Sequence, residues 1–349
     1  MSAQTGRVPG GGRLAVAWFL VFCLAVAAAV VRLPASAIER GYSRAIYPPL
    51  QRILTSASNL FPFALFDVLW IGAVAAAAVL ARRRIAAAGW KNGGLRLATD
   101  LLRGAAVVYL VFLATWGLNY RRVPMFEKVA FEPARVNRVA TAAFAGANAR
   151  DLNADYAAAH AAPIPLDRLR DAFNDALAGL HEGPIVTGRP KPTLLGWYFH
   201  QTSIAGMTDP FLLETLLAPD LLDVEKPFVI AHEWAHLAGF ADESEANFVA
   251  YLTCRRADAS ARYSAALAIF GYAQPPHAGA VLDPGPKIDI IAIQTRYAKT
   301  SGVLRFAAKE GYDKYLKANR VEKGIESYDA VVQLILGTPY DPHGNPVLR

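Results

Sequence analysis

The residues best suited to chemistry form the segment His232-Glu233-Trp234-Ala235-His236, in which two histidines flank a glutamate. On a helix this four-residue spacing places both imidazoles on one face, about 5–6 Å apart at Cβ, so that they can share one metal ion. Glu233 is offset around the helix, where its carboxylate can take a proton from a water molecule without binding the ion. The pattern predicts a zinc site that activates water to attack a carbonyl carbon. The alternative is two surface histidines on an amphipathic helix beside an incidental glutamate.

A catalytic zinc ion needs a third protein ligand and one open position. Three acidic residues follow the motif closely: Asp242, Glu243 and Glu245. Glu243 has Asn247 one turn later, a pattern in which the glutamate binds zinc and the next polar residue holds a ligand histidine. Asp242 lies six residues after the second histidine, a spacing that can also complete a metal site. With Glu245 it can instead form a capping box that begins a new helix after a stop at Gly239.

These patterns predict a site in which each residue has a defined role. The metal ligands are His232, His236 and Glu243, the general base is Glu233, and Asn247 orients a ligand histidine. Glu245 and Asp242 stay open as alternative third ligands, and all three acids also suit a solvated helix start. The ion is predicted to be Zn²⁺, because histidine and carboxylate are typical zinc ligands.

The chain before the site is strongly apolar and predicts three membrane-spanning helices at about 14–31, 61–81 and 104–120. A helix of about 20 apolar residues is long enough to cross the hydrocarbon core of a bilayer. The second run is interrupted only by Asp67. The alternative for the first run is a secretory signal peptide, because Arg7 and Arg13 precede it and Ala35-Ser36-Ala37 resembles a cleavage site. Its length favours a retained span.

Basic residues beside the predicted spans set their expected orientation. Those between spans two and three are the most numerous: Arg82, Arg83, Arg84, Lys91, Arg96 and Arg103. Cytoplasmic loops are enriched in lysine and arginine, so this loop is predicted to be cytoplasmic and the C-terminal region to lie outside the cytoplasm. The loop between spans one and two carries fewer: Arg32, Arg40, Arg44 and Arg52. The net charge of +7 is thus attributed to membrane orientation, and the sequence contains no nucleic-acid-binding motif.

From about residue 124 the sequence changes to that of an extramembrane domain, which predicts a membrane domain over 1–123 and a catalytic domain over 124–349. The predicted helices of the second domain are 135–160, 166–181, 226–239, 242–257, 258–271, 286–298, 302–320 and 325–336. Strand signals are few and short. The predicted fold class is therefore mainly α with a small β element.

The chain resembles a bacterial membrane family catalogued as domain of unknown function 3810. The resemblance rests on the nine residues from His232 to Phe240 and the six from Glu243 to Phe248. Shorter matching pieces lie at the end of span three, before the metal motif and near the C-terminus: Trp116 to Pro124, Gly206 to Phe211 and Ser327 to Asp329. The resemblance implies N-terminal spans in the bacterial inner membrane, followed by a zincin-like domain related to the gluzincin peptidases.

In zincins an edge strand ahead of the metal helix can bind an extended peptide by strand addition, and the corresponding segment here is Ile204 to Leu213. Gly206 and Pro210 in that segment equally suit an ordinary turn. The overall expectation is a membrane-anchored zinc metallopeptidase, whose partners are the lipid bilayer and a peptide or protein substrate. The competing functions are a partner-binding membrane protein with a structural ion, and a hydrolase of a non-peptide amide in the envelope.

Overall fold

The structure of the chain is a computed structural model that describes residues 11–272, 281–302, 304–306, 309–311, 314 and 330–349. The piece from Ser327 to Asp329 and parts of the predicted helices 302–320 and 325–336 lie outside these residues. The described chain is mostly helical with one small sheet, which confirms the mainly α prediction.

The helices of the described chain are α1 (Gly11–Val30), α2 (Ala35–Ile38), α3 (Tyr47–Asn59), α4 (Leu65–Thr115), α5 (Met125–Lys128), α6 (Arg138–Ala161), α7 (Leu166–Gly179), α8 (Gly196–Thr202), α9 (Lys226–Leu237), α10 (Glu243–Arg256), α11 (Ala259–Phe270), α12 (Pro284–Ala298) and α13 (Ala330–Gly337). A π-helical segment, Glu39–Ile46, joins α2 to α3. Short 3₁₀ helices lie at Gly117–Arg121 and Pro133–Arg135.

Helix α4 is broken at Gly89, whose φ of 70° and ψ of 176° are not helical. Beyond the break the chain folds back, because the guanidinium of Arg84 lies 2.6 Å from the carboxylate of Asp100. In a straight helix this separation of 16 residues would span about 24 Å. The predicted spans 61–81 and 104–120 therefore fall on the two arms of one helical hairpin, which meet at Gly89.

The described chain contains one helix that is long and apolar enough to cross a membrane, and this helix is α4. Helix α1 and the helical stretch Ala35–Asn59 pass the same test only as a pair, which is bent by 120° at the break between its members. Arg103 on the second arm of α4 lies 5.5 Å from the ring centre of Trp18, so α1 packs beside that arm.

The segment between the first two predicted spans is helical, although the sequence was interpreted as a loop there. It is held by polar contacts with the C-terminal part of the chain. Tyr47 donates to the carbonyl oxygen of Leu237 across 2.9 Å, and Thr55 donates to that of Leu213 across 3.0 Å. Hydropathy alone misses this helix because its buried side chains are polar.

The start of α4 is fixed to the small sheet by two carboxylates. Glu214 accepts hydrogen bonds from the backbone N–H groups of Leu65, at 3.1 Å, and Phe66, at 2.7 Å. Asp67 accepts one from the hydroxyl of Thr193 across 2.7 Å. Asp67 is therefore a buried contact between the hairpin and the following domain.

The sheet has three short strands: β1 (Pro190–Lys191), β2 (Gly206–Thr208) and β3 (Thr215–Leu217). β3 is central, with β1 parallel on one side and β2 antiparallel on the other. β2 therefore forms an edge of this sheet. The segment 204–213 contains both features that the sequence indicated, a strand at Gly206–Thr208 and a turn after it.

Helix α9 lies at the centre of the molecule, packed against α7, α10, α11 and the sheet. Trp234 on this helix is buried, contacts the ring of Phe173 at a centroid distance of 5.7 Å, and donates to the carbonyl oxygen of Gly188 across 2.8 Å. One hydrophobic core surrounds this helix, and it includes Tyr47 and Trp116 from the segments before residue 124. The segment from His232 to His236 thus lies on a largely buried helix.

Candidate metal centre

The end of one helix and the start of the next bring α9 and α10 together around the motif. Helix α9 ends before Gly239, whose φ of 85° favours glycine over any residue with a side chain. Helix α10 begins after Asp242, whose carboxylate accepts hydrogen bonds from the N–H groups of Ser244, at 2.9 Å, and Glu245, at 3.3 Å. The helix stop and the helix start that the sequence indicated are both present, and they turn the first residues of α10 toward the histidines.

The predicted ligands converge on one point. The Nε2 atoms of His232 and His236 lie 3.1 Å apart, and Oε2 of Glu243 lies 3.2 Å from the first and 3.8 Å from the second. Ligand atoms about 2.05 Å from a tetrahedral ion are about 3.3 Å apart. The three separations therefore suit an ion of the size of zinc.

Both imidazoles use their other nitrogen to donate a hydrogen bond to an oxygen atom. Nδ1 of His232 lies 2.8 Å from Oδ1 of Asn247, and Nδ1 of His236 lies 2.7 Å from the carbonyl oxygen of Phe240. Oxygen atoms accept, so each Nδ1 carries a proton and the Nε2 atoms of the two rings point toward each other. Two ring nitrogens and a carboxylate oxygen thus face each other, an arrangement that a proton or a bound cation can bridge. The donor set, two imidazoles and a carboxylate, fits zinc.

The electrostatics of the cluster also favour positive charge at this point. Burial would raise the pKa of Glu243, but hydrogen bonds and charges from His232 and His236 hold it well below its usual range. Burial would lower the pKa of His236, but Glu243 raises it to about 9. The carboxylate is thus held ionised beside the two imidazoles.

Glu233 is buried beside this cluster and is held by strand β2. The hydroxyl of Thr208 lies 2.9 Å from Oε2 of Glu233. A Cβ atom at Gly206 would lie 2.6 Å from Oε1, so only glycine leaves room for the carboxylate there. Burial raises the pKa of Glu233, and the charges of the two histidines and the hydrogen bond from Thr208 offset this only in part. A carboxylate with a raised pKa is suited to accept a proton and to return it.

The other two acids of the motif have partners elsewhere. Asp242 caps α10, and Oε1 of Glu245 accepts a hydrogen bond from the N–H of Met125 across 2.6 Å. Burial and the nearby Asp242 raise the pKa of Glu245 to about 7. Within the part of the chain that the structure describes, the group able to share an ion consists of His232, His236 and Glu243. The sequence left three candidates for the third ligand, and the geometry favours Glu243.

Three side chains from before residue 124 bind backbone carbonyl oxygens at the end of α9. Trp116 donates to His236 and Tyr47 to Leu237, each across 2.9 Å, and Arg122 donates to Gly239 across 3.1 Å. Sequence reasoning assigned no role to these residues. For Trp116 and Arg122 the sequence offers a signal, the matching piece from Trp116 to Pro124, whereas Tyr47 lies outside it.

The comparisons with known proteins identify a family without an activity. The profile of one protein family matches residues 42–336. The chain belongs to that family, described as protein of unknown function (DUF3810). The match extends from the π-helical segment through His232, His236 and Glu243, so membership in DUF3810 covers α3, α4 and the candidate site. No curated protein and no solved structure matches the chain.

Proposed function

We propose that the chain is a membrane-anchored zinc metallopeptidase, with His232, His236 and Glu243 as ligands and Glu233 as general base. The observation that carries the proposal is the convergence of three electron-pair donors, 3.1 to 3.8 Å apart, beside a buried carboxylate that is not one of them. Three protein ligands leave the fourth tetrahedral position open, as catalytic zinc sites do.

Each residue contributes a separate step. A zinc ion held by His232, His236 and Glu243 would lower the pKa of water and polarise a substrate carbonyl group. Glu233 takes the proton from the attacking water and delivers it to the leaving amine, and Thr208 fixes its carboxylate. Asn247 and the carbonyl group of Phe240 fix the two imidazoles with their Nε2 atoms toward the ion.

The domain is proposed to be zincin-like, of the gluzincin type, with the extended substrate lying along β2. An exposed strand edge binds a peptide through main-chain hydrogen bonds. β2 forms an edge of the sheet, and its residues Gly206 and Thr208 both adjoin Glu233. A peptide paired with this edge therefore runs past the proposed base.

The anchor is proposed to comprise three spans in a bacterial inner membrane, formed by α1 and the two arms of α4. Both ends of α4 meet the C-terminal domain, because Leu65 binds Glu214 and Trp116 binds His236. The break at Gly89 therefore lies at the far end of the hairpin, beside the basic residues of segment 82–103. That tip is proposed to be cytoplasmic, which leaves the catalytic domain outside the cytoplasm.

The competing proposal of a closed structural site requires a fourth protein ligand. The two acids that would supply it, Asp242 and Glu245, are engaged with backbone N–H groups instead. The third proposal, hydrolysis of a non-peptide envelope amide, uses the same catalytic groups. A substrate panel containing unfolded proteins, peptides and cell-wall amides distinguishes it from peptide hydrolysis.

The experiment measures zinc per chain and turnover on that panel for purified protein in detergent. Wild type is expected to hold one zinc ion, His236→Ala and Glu243→Ala to hold none, and Glu233→Gln to keep zinc but lose turnover. His200→Ala is the matched control, because His200 pairs with Asp220 outside the cluster. A folded wild type without zinc, or full turnover in Glu233→Gln, would show that the proposal is wrong.

A further inference from the structure

Helix α3 has a polar face toward the protein. Its buried side chains are Tyr47, Gln51, Thr55 and Ser58, and all four carry a hydroxyl or amide group. The amide of Gln51 donates to the carbonyl oxygen of Val186 across 2.6 Å, and Tyr47 and Thr55 bind carbonyl groups in the same way. This face of the helix is therefore satisfied by the domain beneath it.

The opposite face of α3, extended by one residue at each end of the helix, is apolar and exposed. Ile46, Ile53 and Leu60 are separated by seven residues, so they lie along one line of a helix, and they are 59%, 67% and 81% exposed. Pro49 and Ala57, which fall beside this line, are exposed as well. We name this set the outer face of α3. Helices on the surface of soluble proteins have the reverse arrangement, with the apolar stripe buried.

The chain before and after α3 shows which environment meets the outer face. Among the described residues, large exposed apolar side chains are concentrated on α1 and α4, and Ile46, Ile53 and Leu60 of the outer face lie between these two helices in the chain. The helical stretch that ends with α3 follows α1 after a bend of 120°, which makes it oblique to α1, and precedes α4, the helix that is long and apolar enough to cross a membrane. At the start of α4 the exposed rings of Phe61 and Phe63 lie 5.7 Å apart, and aromatic side chains are enriched where a chain enters the membrane.

We propose that α3 is an interfacial helix, with its outer face in the lipid at the surface of the same bilayer that holds α1 and α4. The partner is the acyl and headgroup boundary, which accepts an apolar face and the aromatic residues beside it. This inference rests on the membrane anchoring proposed above and adds a surface that the three spans do not include.

The position of α3 also fixes the distance of the metal helix from the membrane. Tyr47 on its inner face donates to Leu237, which follows the ligand His236. One helix, about 10 Å in diameter, thus separates lipid from α9. The site is thereby held close to the membrane surface.

The test measures the environment of single cysteines in the full-length protein, reconstituted in phosphatidylcholine vesicles. Cys23 is replaced by serine, and the other cysteine, Cys254, is buried. A fluorophore is attached at Ile53→Cys on the outer face, at Val74→Cys on α4 or at Val139→Cys on α6, all exposed positions. Brominated phosphatidylcholine quenches labels in lipid, and iodide quenches labels in water.

The Ile53→Cys label is expected to lose as large a fraction of its fluorescence to brominated lipid as the Val74→Cys label, whereas the Val139→Cys label responds to iodide. Quenching by lipid at Val74→Cys but not at Ile53→Cys would overturn the interfacial helix and leave the spans intact. Protection of Ile53→Cys from both quenchers would overturn it as well, because a protein surface would then cover the face. Absence of lipid quenching at all three sites would overturn the membrane anchoring itself.

Discussion

The hydroxyl of Thr208 lies 2.9 Å from both the carbonyl oxygen and Oε2 of Glu233. Thr208, which lies on β2 and 25 residues before Glu233 in the chain, therefore fixes the carboxylate of the proposed base. The spacing of residues in the motif cannot predict the contact between Thr208 and Glu233, because this contact depends on β2 folding back along α9. Holding the base and holding the ion are therefore separate roles. Thr208 contacts Glu233 and does not belong to the group of residues that can share an ion.

Thr208→Val is expected to lower kcat by about 10-fold or more without changing zinc content, because the base loses its hydrogen bond while the ligands are untouched. Thr208→Ser retains the hydroxyl and is expected to restore most of the turnover. The measurement is turnover on the best substrate of the panel, with zinc determined on the same samples. Zinc loss in the valine variant would place Thr208 among the residues that hold the ion.

Asn247→Ala is expected to weaken zinc binding by about 10- to 100-fold, because it removes the acceptor that orients His232. Asn247→Asp keeps an acceptor at this position and is expected to bind zinc as wild type does. It also removes the Nδ2 group, which has no hydrogen-bond partner among the described residues. Competition with a chelator measures the Kd. Thr253→Val, a buried polar change farther along α10, is the control, and equal Kd values for Asn247→Ala and this control would contradict the assigned role.

The sequence predicted the parts of the fold and the site that depend on local spacing. Four-residue spacing, glycine termination and an aspartate cap determine α9, α10 and the meeting of His232, His236 and Glu243, and all of these are local. The choice between Glu243 and Glu245 required tertiary information. Glu245 does not lie one helical turn before Asn247, as Glu243 does. Only the position of Met125 shows what Glu245 binds.

Helix α3 was not predicted from the sequence, for a related reason. Apolar periodicity identifies helices by a buried apolar stripe, and here the buried stripe consists of hydroxyl and amide side chains. Tyr47, Gln51 and Thr55 bind backbone carbonyl groups more than 100 residues away, such as that of Leu237. The predicted boundary at residue 123 likewise follows composition, whereas the hydrophobic core includes residues on both sides of it.

Asp209 lies in the turn between β2 and β3, and its buried carboxylate accepts hydrogen bonds from the N–H groups of Phe211, at 3.0 Å, and Leu212, at 2.8 Å. Burial raises its pKa from 3.8 to about 7; these hydrogen bonds and Lys191 oppose the rise, and Glu214 adds to it. Between pH 3.8 and about pH 7, the folded chain therefore holds a proton on Asp209 that the unfolded chain has released. The stability that this proton contributes is complete below the unfolded pKa and is lost as the pH rises through about 7.

Asp209→Asn cannot lose that proton, so its stability relative to wild type is expected to rise between about pH 5 and about pH 7. The slope is at most about 1.4 kcal/mol per pH unit, the value for one proton. The measurement is Tm of both proteins in the same detergent across this range. The asparagine can accept only through one oxygen, so its absolute Tm can lie on either side of wild type, but a pH-independent difference would contradict the raised pKa.

From the hairpin of α4, we expect its tip and the domain that contains the candidate metal centre to lie on opposite sides of the membrane. Trp90 follows the break at Gly89 and is 81% exposed, and Val139 is exposed on α6. In a Cys23→Ser background, Val139→Cys is expected to react with a membrane-impermeant thiol reagent in intact spheroplasts. Trp90→Cys is expected to react only after lysis, because the basic segment 82–103 favours the cytoplasm. Reaction of Trp90→Cys in intact spheroplasts would contradict a hairpin that crosses the bilayer in this orientation, and reaction of Val139→Cys only after lysis would place the metal site in the cytoplasm.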